Sequence, residues 1–214
     1  MNIVKDVNLS VFKFFNINFG QPQFKKFLTL INAIGDPNIV YYHLLAIFAI
    51  ACFLIFQTRN DKNALKRLLI LGFSATVTFV ISFCFSLAII VELIKTYAAV
   101  ARPFCSLNDI HALQHVIEAN DCFMSFPSGH TSFTIILITS FWPLLNRFFK
   151  TLAITFLFML MISRMASGAH YPMDLLGATV ICLPMTICIR EKVTKLVIKY
   201  ESRCNLFKKF SQGA

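Results

Sequence analysis

Five apolar runs, separated by short polar or basic breaks, constrain the fold of this chain more than any other feature. Inside a bilayer, backbone amides and carbonyls must find partners within a helix or a closed barrel. A helix needs about 20 apolar residues to cross the hydrocarbon core. The runs lie at about 39–58, 68–94, 129–146, 149–163 and 171–189, lengths that suit helices rather than strands. Charged residues are 14% of the 214 and hydrophobic ones 57%, whereas soluble domains carry about 25% charged residues. The chain is therefore read as all-α: an integral membrane helical bundle of five transmembrane helices, forming one domain over residues 1–214.

The segment 1–38 follows another pattern. It is rich in Phe but broken by Lys5, Lys13, Gly20, Pro22, Lys25 and Lys26, which predicts one or two amphipathic helices lying in the membrane interface, with a sixth span as the alternative. Lys13 interrupts its apolar run and no small-residue cleavage site follows, so a cleaved signal is not expected. Asp36-Pro37 marks a turn before the first span. Residues 190–214 form a basic, partly amphipathic tail. The net charge of +10 does not point to nucleic acid, because no nucleic-acid-binding signature accompanies it. Basic residues beside apolar spans report orientation and anionic lipid instead.

Orientation follows from where those residues fall. The 59–67 loop, the 146–150 turn and the tail together hold 13 of the 20 Lys and Arg, and that side is expected to be cytoplasmic. On the other side, outside the N-terminal segment, stand only Lys95, Arg102 and Arg164. Lys95 ends the second run, His130 begins the third, Arg164 ends the fourth and His170 begins the fifth. Alternating crossings bring all four to one membrane face, expected to look outward.

The residues at that face share one set of chemical uses. They occur as Lys95-x6-Arg102-Pro103, Pro127-Ser128-Gly129-His130 and Ser163-Arg164-x5-His170-x3-Asp174. Phosphoryl transfer needs positioning and stabilisation of charge on the equatorial oxygens. Arg suits bidentate phosphate contact and Lys supplies a compact charge. Ser128 is an N-cap whose following amides, with the helix dipole, favour an anion. His170 and Asp174 stand i, i+4, so Asp174 accepting from one ring nitrogen would leave the other free as a nucleophile. His130 would protonate the leaving oxygen and then activate water. Each piece alone has an ordinary reading as anchor, cap or structural pair; their combination favours catalysis.

These strings resemble the type 2 phosphatidic acid phosphatase (PAP2) superfamily, which also contains vanadium haloperoxidases. The pattern KxxxxxxRP, PSGH, SRxxxxxHxxxD is matched at every fixed position between residues 95 and 174. The resemblance implies His170 as the nucleophile that becomes phosphohistidine, Asp174 as its orienting carboxylate and His130 as acid–base residue. Lys95, Arg102, Ser128, Gly129 and Arg164 would form the phosphate cradle. It implies no cofactor and no metal ion, and inhibition by orthovanadate.

The expected activity is hydrolysis of a phosphate or diphosphate on a membrane lipid, at the extracytoplasmic face of a bacterial inner membrane. Undecaprenyl diphosphate and the phosphorylated glucosamine of lipid A are favoured, with phosphatidylglycerol phosphate and phosphatidic acid also compatible. The competing readings are a lipid-to-lipid phosphotransferase, a haloperoxidase and a non-catalytic lipid-binding membrane protein. The substrate partner is thus a phospholipid, prenyl phosphate or glycolipid phosphate, with the bilayer as surroundings.

Three features stand outside the motifs. His111 and His115, with Glu118 nearby, have zinc-compatible spacing, but two ligands do not make a site. Cys105 and Cys122 flank the 103–126 loop on the expected oxidising side, which predicts a disulfide pinning it. Asn8-Leu9-Ser10 fits a glycosylation sequon.

Overall fold

The computed structural model describes residues 3–112 and 122–211, with side chains of the last helix described through Arg203. Every element among the described residues is helical. Helices α1 (Ile3–Phe19) and α2 (Lys25–Ile34) form the N-terminal segment, and α3 (Val40–Thr58) is the first long apolar helix. Next, α4 (Lys62–Ser82) continues through a π-helical stretch, Phe83–Val91, into α5 (Glu92–Ala98). A short α6 (Pro103–Ser106) precedes the loop, then come α7 (Gly129–Phe141), α8 (Arg147–Ala166) and α9 (Pro172–Ser211).

Local chemistry fixes most of the helix ends. Asp61 accepts from the amides of Asn63 and Ala64, both at 3.0 Å, to open α4. Asn146 accepts from Phe149 N at 3.0 Å to open α8. Such caps contribute about 1 kcal/mol each. Ala99, with φ at 44°, closes α5 in the left-handed region. Pro172 is tolerated in α9 because the first turn needs no amide donor there, and Asn8 Oδ1 accepts from Met173 N at 3.0 Å. The asparagine of the sequon thus helps to cap α9.

Helix α7 is the hub. It packs against α4, the π stretch, α8 and α9, and Thr131 through Ile136 are all buried. Phe133, Ile135 and Ile136 meet Phe79, Leu87, Val91 and Cys182 in one core cluster. Buried Ser74, Ala75, Thr78, Ser82 and Ser86 line α4 and the π stretch, and small residues of this kind let membrane helices approach closely.

Four helical segments are long and apolar enough to cross a bilayer: Pro37–Thr58, Lys62–Ser106, Arg147–Ala166 and Pro172–Arg203. The third expected span differs. Its helix stops at Phe141 after 13 residues, about 20 Å of rise, and Pro143 lies in the 3-10 turn that follows. Four helical segments of crossing length thus stand among the described residues, and the shorter α7 has most of its surface buried in the core. The fifth run also extends beyond expectation, α9 continuing through the tail to Ser211.

The N-terminal segment forms the two expected helices. They pack onto the bundle, α1 against α8 and α9 and α2 against α8. Phe12 and Asn16 of α1 are fully buried.

Candidate active site

The turn from α8 to α9 builds half of the site. Ser163 through His170 are buried without interruption. The carbonyl of Arg164 accepts from the amides of Ala169 and His170 at 3.1 and 3.3 Å and from Ser167 Oγ at 3.2 Å. Gly168 takes φ of +76° to make this reversal, a conformation that penalises other residues. His170 is thereby folded back onto the helix that carries Arg164.

Helix α7 supplies the second part. Ser128 Oγ accepts from the hydroxyl of Thr131 at 3.1 Å and, at 3.5 Å, from its amide. Its own amide donates to the carbonyl of Asp174 at 3.2 Å, tying the start of α7 to the first turn of α9. Phe126 lies against Gly177, where a Cβ would collide with the ring. The loop before α7 and helix α9 therefore pack closely at this glycine. A Cβ on Gly129 would lie 3.3 Å from Lys95 Nζ, so the glycine leaves room for the lysine at the helix end.

Lys95 and Arg102 form the outer rim. Lys95 Nζ bonds Glu92 Oε1 at 2.7 Å, with the lysine side chain 14% exposed and the glutamate 51%. Arg102 N donates to Cys122 O at 2.7 Å. Cys105 and Cys122 are disulfide-bonded, as expected, with Cα atoms 5.7 Å apart.

The electrostatics show these pieces converging. His170 is held well below the usual histidine range, first by burial and then by the charges of Arg164, Arg102 and Lys95. It is therefore neutral, the form with a free nitrogen lone pair. His130 is likewise pushed down, to about 2, first by burial and then by the charges of cations that include Arg164, Arg102 and Lys95. Residues spread over some 80 positions thus meet around the two histidines. Arg164 is 2% exposed, and its Nε and Nη1 have no hydrogen-bond partner. Burying an unpaired cation is costly. The arrangement suits an anion that completes the guanidinium's bonding.

One expected contact differs. Asp174 Oδ2 lies 3.5 Å from His170 Nδ1, too long for a good hydrogen bond, and Nδ1 has no partner. The carboxylate oxygen is instead held by Ser125 Oγ at 2.5 Å and Tyr171 N at 2.8 Å. The i, i+4 spacing brought the pair together, but two stronger donors had already claimed the oxygen. Ser125 is thus a site residue the sequence analysis missed. Nothing in Met124-Ser125-Phe126 distinguishes it from other loop serines.

His111, offered above as a metal ligand, is engaged otherwise. Its backbone N and O bond the side chain of Asn16 at 2.9 and 2.8 Å, and its ring meets Gln21 Nε2 at 3.3 Å. Asn16 also donates to Ala166 O at 2.9 Å, locking α1 to the end of α8. His115 and Glu118 lie outside the described residues. Among the described residues no three His, Cys, Asp or Glu gather as a metal cluster would require.

The fold and site define a helical integral membrane protein in which three cations gather around two histidines. The profile of the PAP2 superfamily matches residues 75–197, and the chain belongs to that superfamily. Phosphatidylglycerophosphatase B of Haemophilus influenzae is 43% identical over 96 residues, a match spanning 39% of each protein. The chain thus aligns with well under half of that relative's length. Two crystal structures share the fold over most of their length. Aquifex aeolicus LpxE gives a TM-score of 0.55 at 20% identity, over 91% of this chain and 96% of that one. The first transmembrane PAP2-type phosphatidylglycerolphosphate phosphatase from Bacillus subtilis gives 0.53 at 21% identity, over 93% and 88%.

Proposed function

We propose that this protein is a metal-independent phosphatase that removes the phosphate or diphosphate of a membrane lipid through a phosphohistidine on His170. The observation that carries the reading is the buried guanidinium of Arg164, with free donors and beside a neutral His170. An anion there is stabilised without reorganisation, and the nearest nucleophile is unprotonated.

In the first step Nε2 of His170 attacks phosphorus, a nitrogen–phosphorus bond forms and the bond to the lipid oxygen breaks. His130 gives its proton to that departing oxygen. An arriving phosphate favours the protonated form of His130, because opposite charge stabilises the charged imidazole. In the second step water attacks phosphorus and returns a proton to His130, and the nitrogen–phosphorus bond breaks. Inorganic phosphate leaves and His170 is neutral again. Lys95, Arg102 and Arg164, with the amides after Ser128 and Gly129, hold the equatorial oxygens throughout.

The charge bias of the loops supports a site facing the periplasm or cell exterior, with 1–38 as an interfacial segment and 190–214 as a cytoplasmic tail. Undecaprenyl diphosphate and lipid A remain candidate substrates, and the names of the Haemophilus and Bacillus proteins add weight to phosphatidylglycerophosphate. Purified protein should release phosphate from one of these lipids far faster than from the others. His170→Ala should lower that rate by at least about 10³-fold and abolish an acid-labile phosphoenzyme. Unchanged release by His170→Ala would overturn the catalytic reading.

A further inference from the structure

We propose that Ser125 is a positioning residue for the reaction, holding the Asp174 carboxylate in register with the nucleophile His170. The inference rests on the roles proposed above for His170 and Asp174.

Ser125 is fully buried and lies 49 positions from Asp174 in sequence. Its hydroxyl makes a 2.5 Å bond to Asp174 Oδ2, the short length expected when an alcohol donates to a carboxylate. The backbone that carries Ser125 is held at both ends. Cys122 is joined to Cys105 and accepts from Arg102 N. Ser125 N itself donates to Val100 O at 3.0 Å. Ser128 N bonds the carbonyl of the same Asp174 whose side chain Ser125 grips, while Phe126 presses on Gly177 one turn further along α9. The serine therefore reaches α9 from a strap whose start is anchored outside α9, on Cys105, Arg102 and Val100.

The consequence concerns His170 Nδ1, which is buried, lacks a partner, and faces Asp174 Oδ2 across 3.5 Å. An isolated Asp174 side chain would rotate about two torsions. Ser125 and the Tyr171 amide fix the shared oxygen, which keeps the carboxylate's negative charge 3.5 Å from Nδ1. When Nε2 bonds phosphorus the imidazole gains positive charge, and a carboxylate already in place stabilises that charge without first having to be oriented. The Ser125 backbone also bonds the His170 ring, but the serine side chain bonds Asp174. Its effect runs through Asp174.

A double-mutant cycle tests this. Ser125→Ala, Asp174→Ala and the double variant would be assayed in detergent with the preferred lipid, alongside Ser125→Thr and orthovanadate inhibition. Ser125→Ala should lower kcat about tenfold with KM and vanadate affinity nearly unchanged. The same change in the Asp174→Ala background should have almost no further effect, and Ser125→Thr should recover part of the rate. Full kcat in Ser125→Ala would overturn the proposal. Additive losses, with vanadate affinity and thermal stability falling together, would also overturn it by showing a merely structural serine. Failure of the underlying function appears separately, as activity surviving in His170→Ala.

Discussion

The two halves of the proposed phosphate cradle are built on opposite terms. The inner half, Arg164, His170 and Asp174, is 2% exposed at each residue, and Arg164 carries unpaired donors there. On the outer half Lys95 is partly open to solvent and already has a carboxylate, Glu92, at 2.7 Å. The inner half bears the cost of desolvated charge before substrate arrives. The outer half is neutralised while it waits. An arriving anion therefore gains most at Arg164, where it replaces nothing, and less at Lys95, where it displaces Glu92.

The largest test of this contrast is Arg164→Met. Losing a buried charged partner of the substrate costs about 2–5 kcal/mol, or about 30- to 5,000-fold in kcat/KM. The same substitution removes a buried cation with two unpaired donors, and apolar replacements of that kind often stabilise. The expected result is near-complete loss of phosphate release with a raised melting temperature in detergent. A variant that unfolds instead would make Arg164 a structural residue and end the contrast.

Asp174→Asn comes next. It preserves the shape of the inner half while removing the charge that faces His170 Nδ1. The turnover rate should drop about 100-fold with vanadate affinity held within about threefold, since the cations are untouched. Equal losses in both would assign Asp174 to binding rather than to orientation of the nucleophile.

A smaller, pH-dependent effect belongs to the inner half alone. His170 resists protonation in the folded protein because of burial and the cations around it, whereas the unfolded chain takes up a proton near pH 6.5. Above that pH both states are neutral and no stability difference arises. Below it the unfolded state binds the extra proton, so stability falls as pH drops. Between pH 7.5 and 5 the wild-type melting temperature should decrease more than that of His170→Gln. Parallel curves would mean that His170 is protonated in the folded state.

The outer architecture was largely legible because it answers to local rules. Apolar run lengths placed α3, α8 and the start of α9, and loop charges singled out Lys95, Arg102 and Arg164 by leaving that side otherwise bare. The motif spacing put Ser128 at an N-cap and His170 just before a helix, where both are found. What escaped was set by contacts between distant segments. Ser125 reaches Asp174 across 49 positions and Asn16 reaches Ala166 across 150, and no periodicity encodes either. The length of α7 was hidden for a related reason. A helix enclosed by protein and one enclosed by lipid are both apolar all round, so hydropathy alone did not show where α7 ends or that it is the hub.

Glu92 provides the finest probe of the difference between the halves. It is half-exposed and pairs with Lys95 at i, i+3, a setting in which solvent screening leaves an ion pair about 0.2–1 kcal/mol. That energy opposes any phosphate seeking Lys95. Glu92→Gln should therefore tighten orthovanadate inhibition by about two- to threefold at low salt, with the gain shrinking as salt screens the pair. The corresponding effect is not expected at Arg164, which forms no salt bridge among the described residues. A tenfold or larger change in Glu92→Gln would show that the rim is no more solvated than the interior. A weakening would show that Glu92 positions Lys95 for the substrate instead of competing with it.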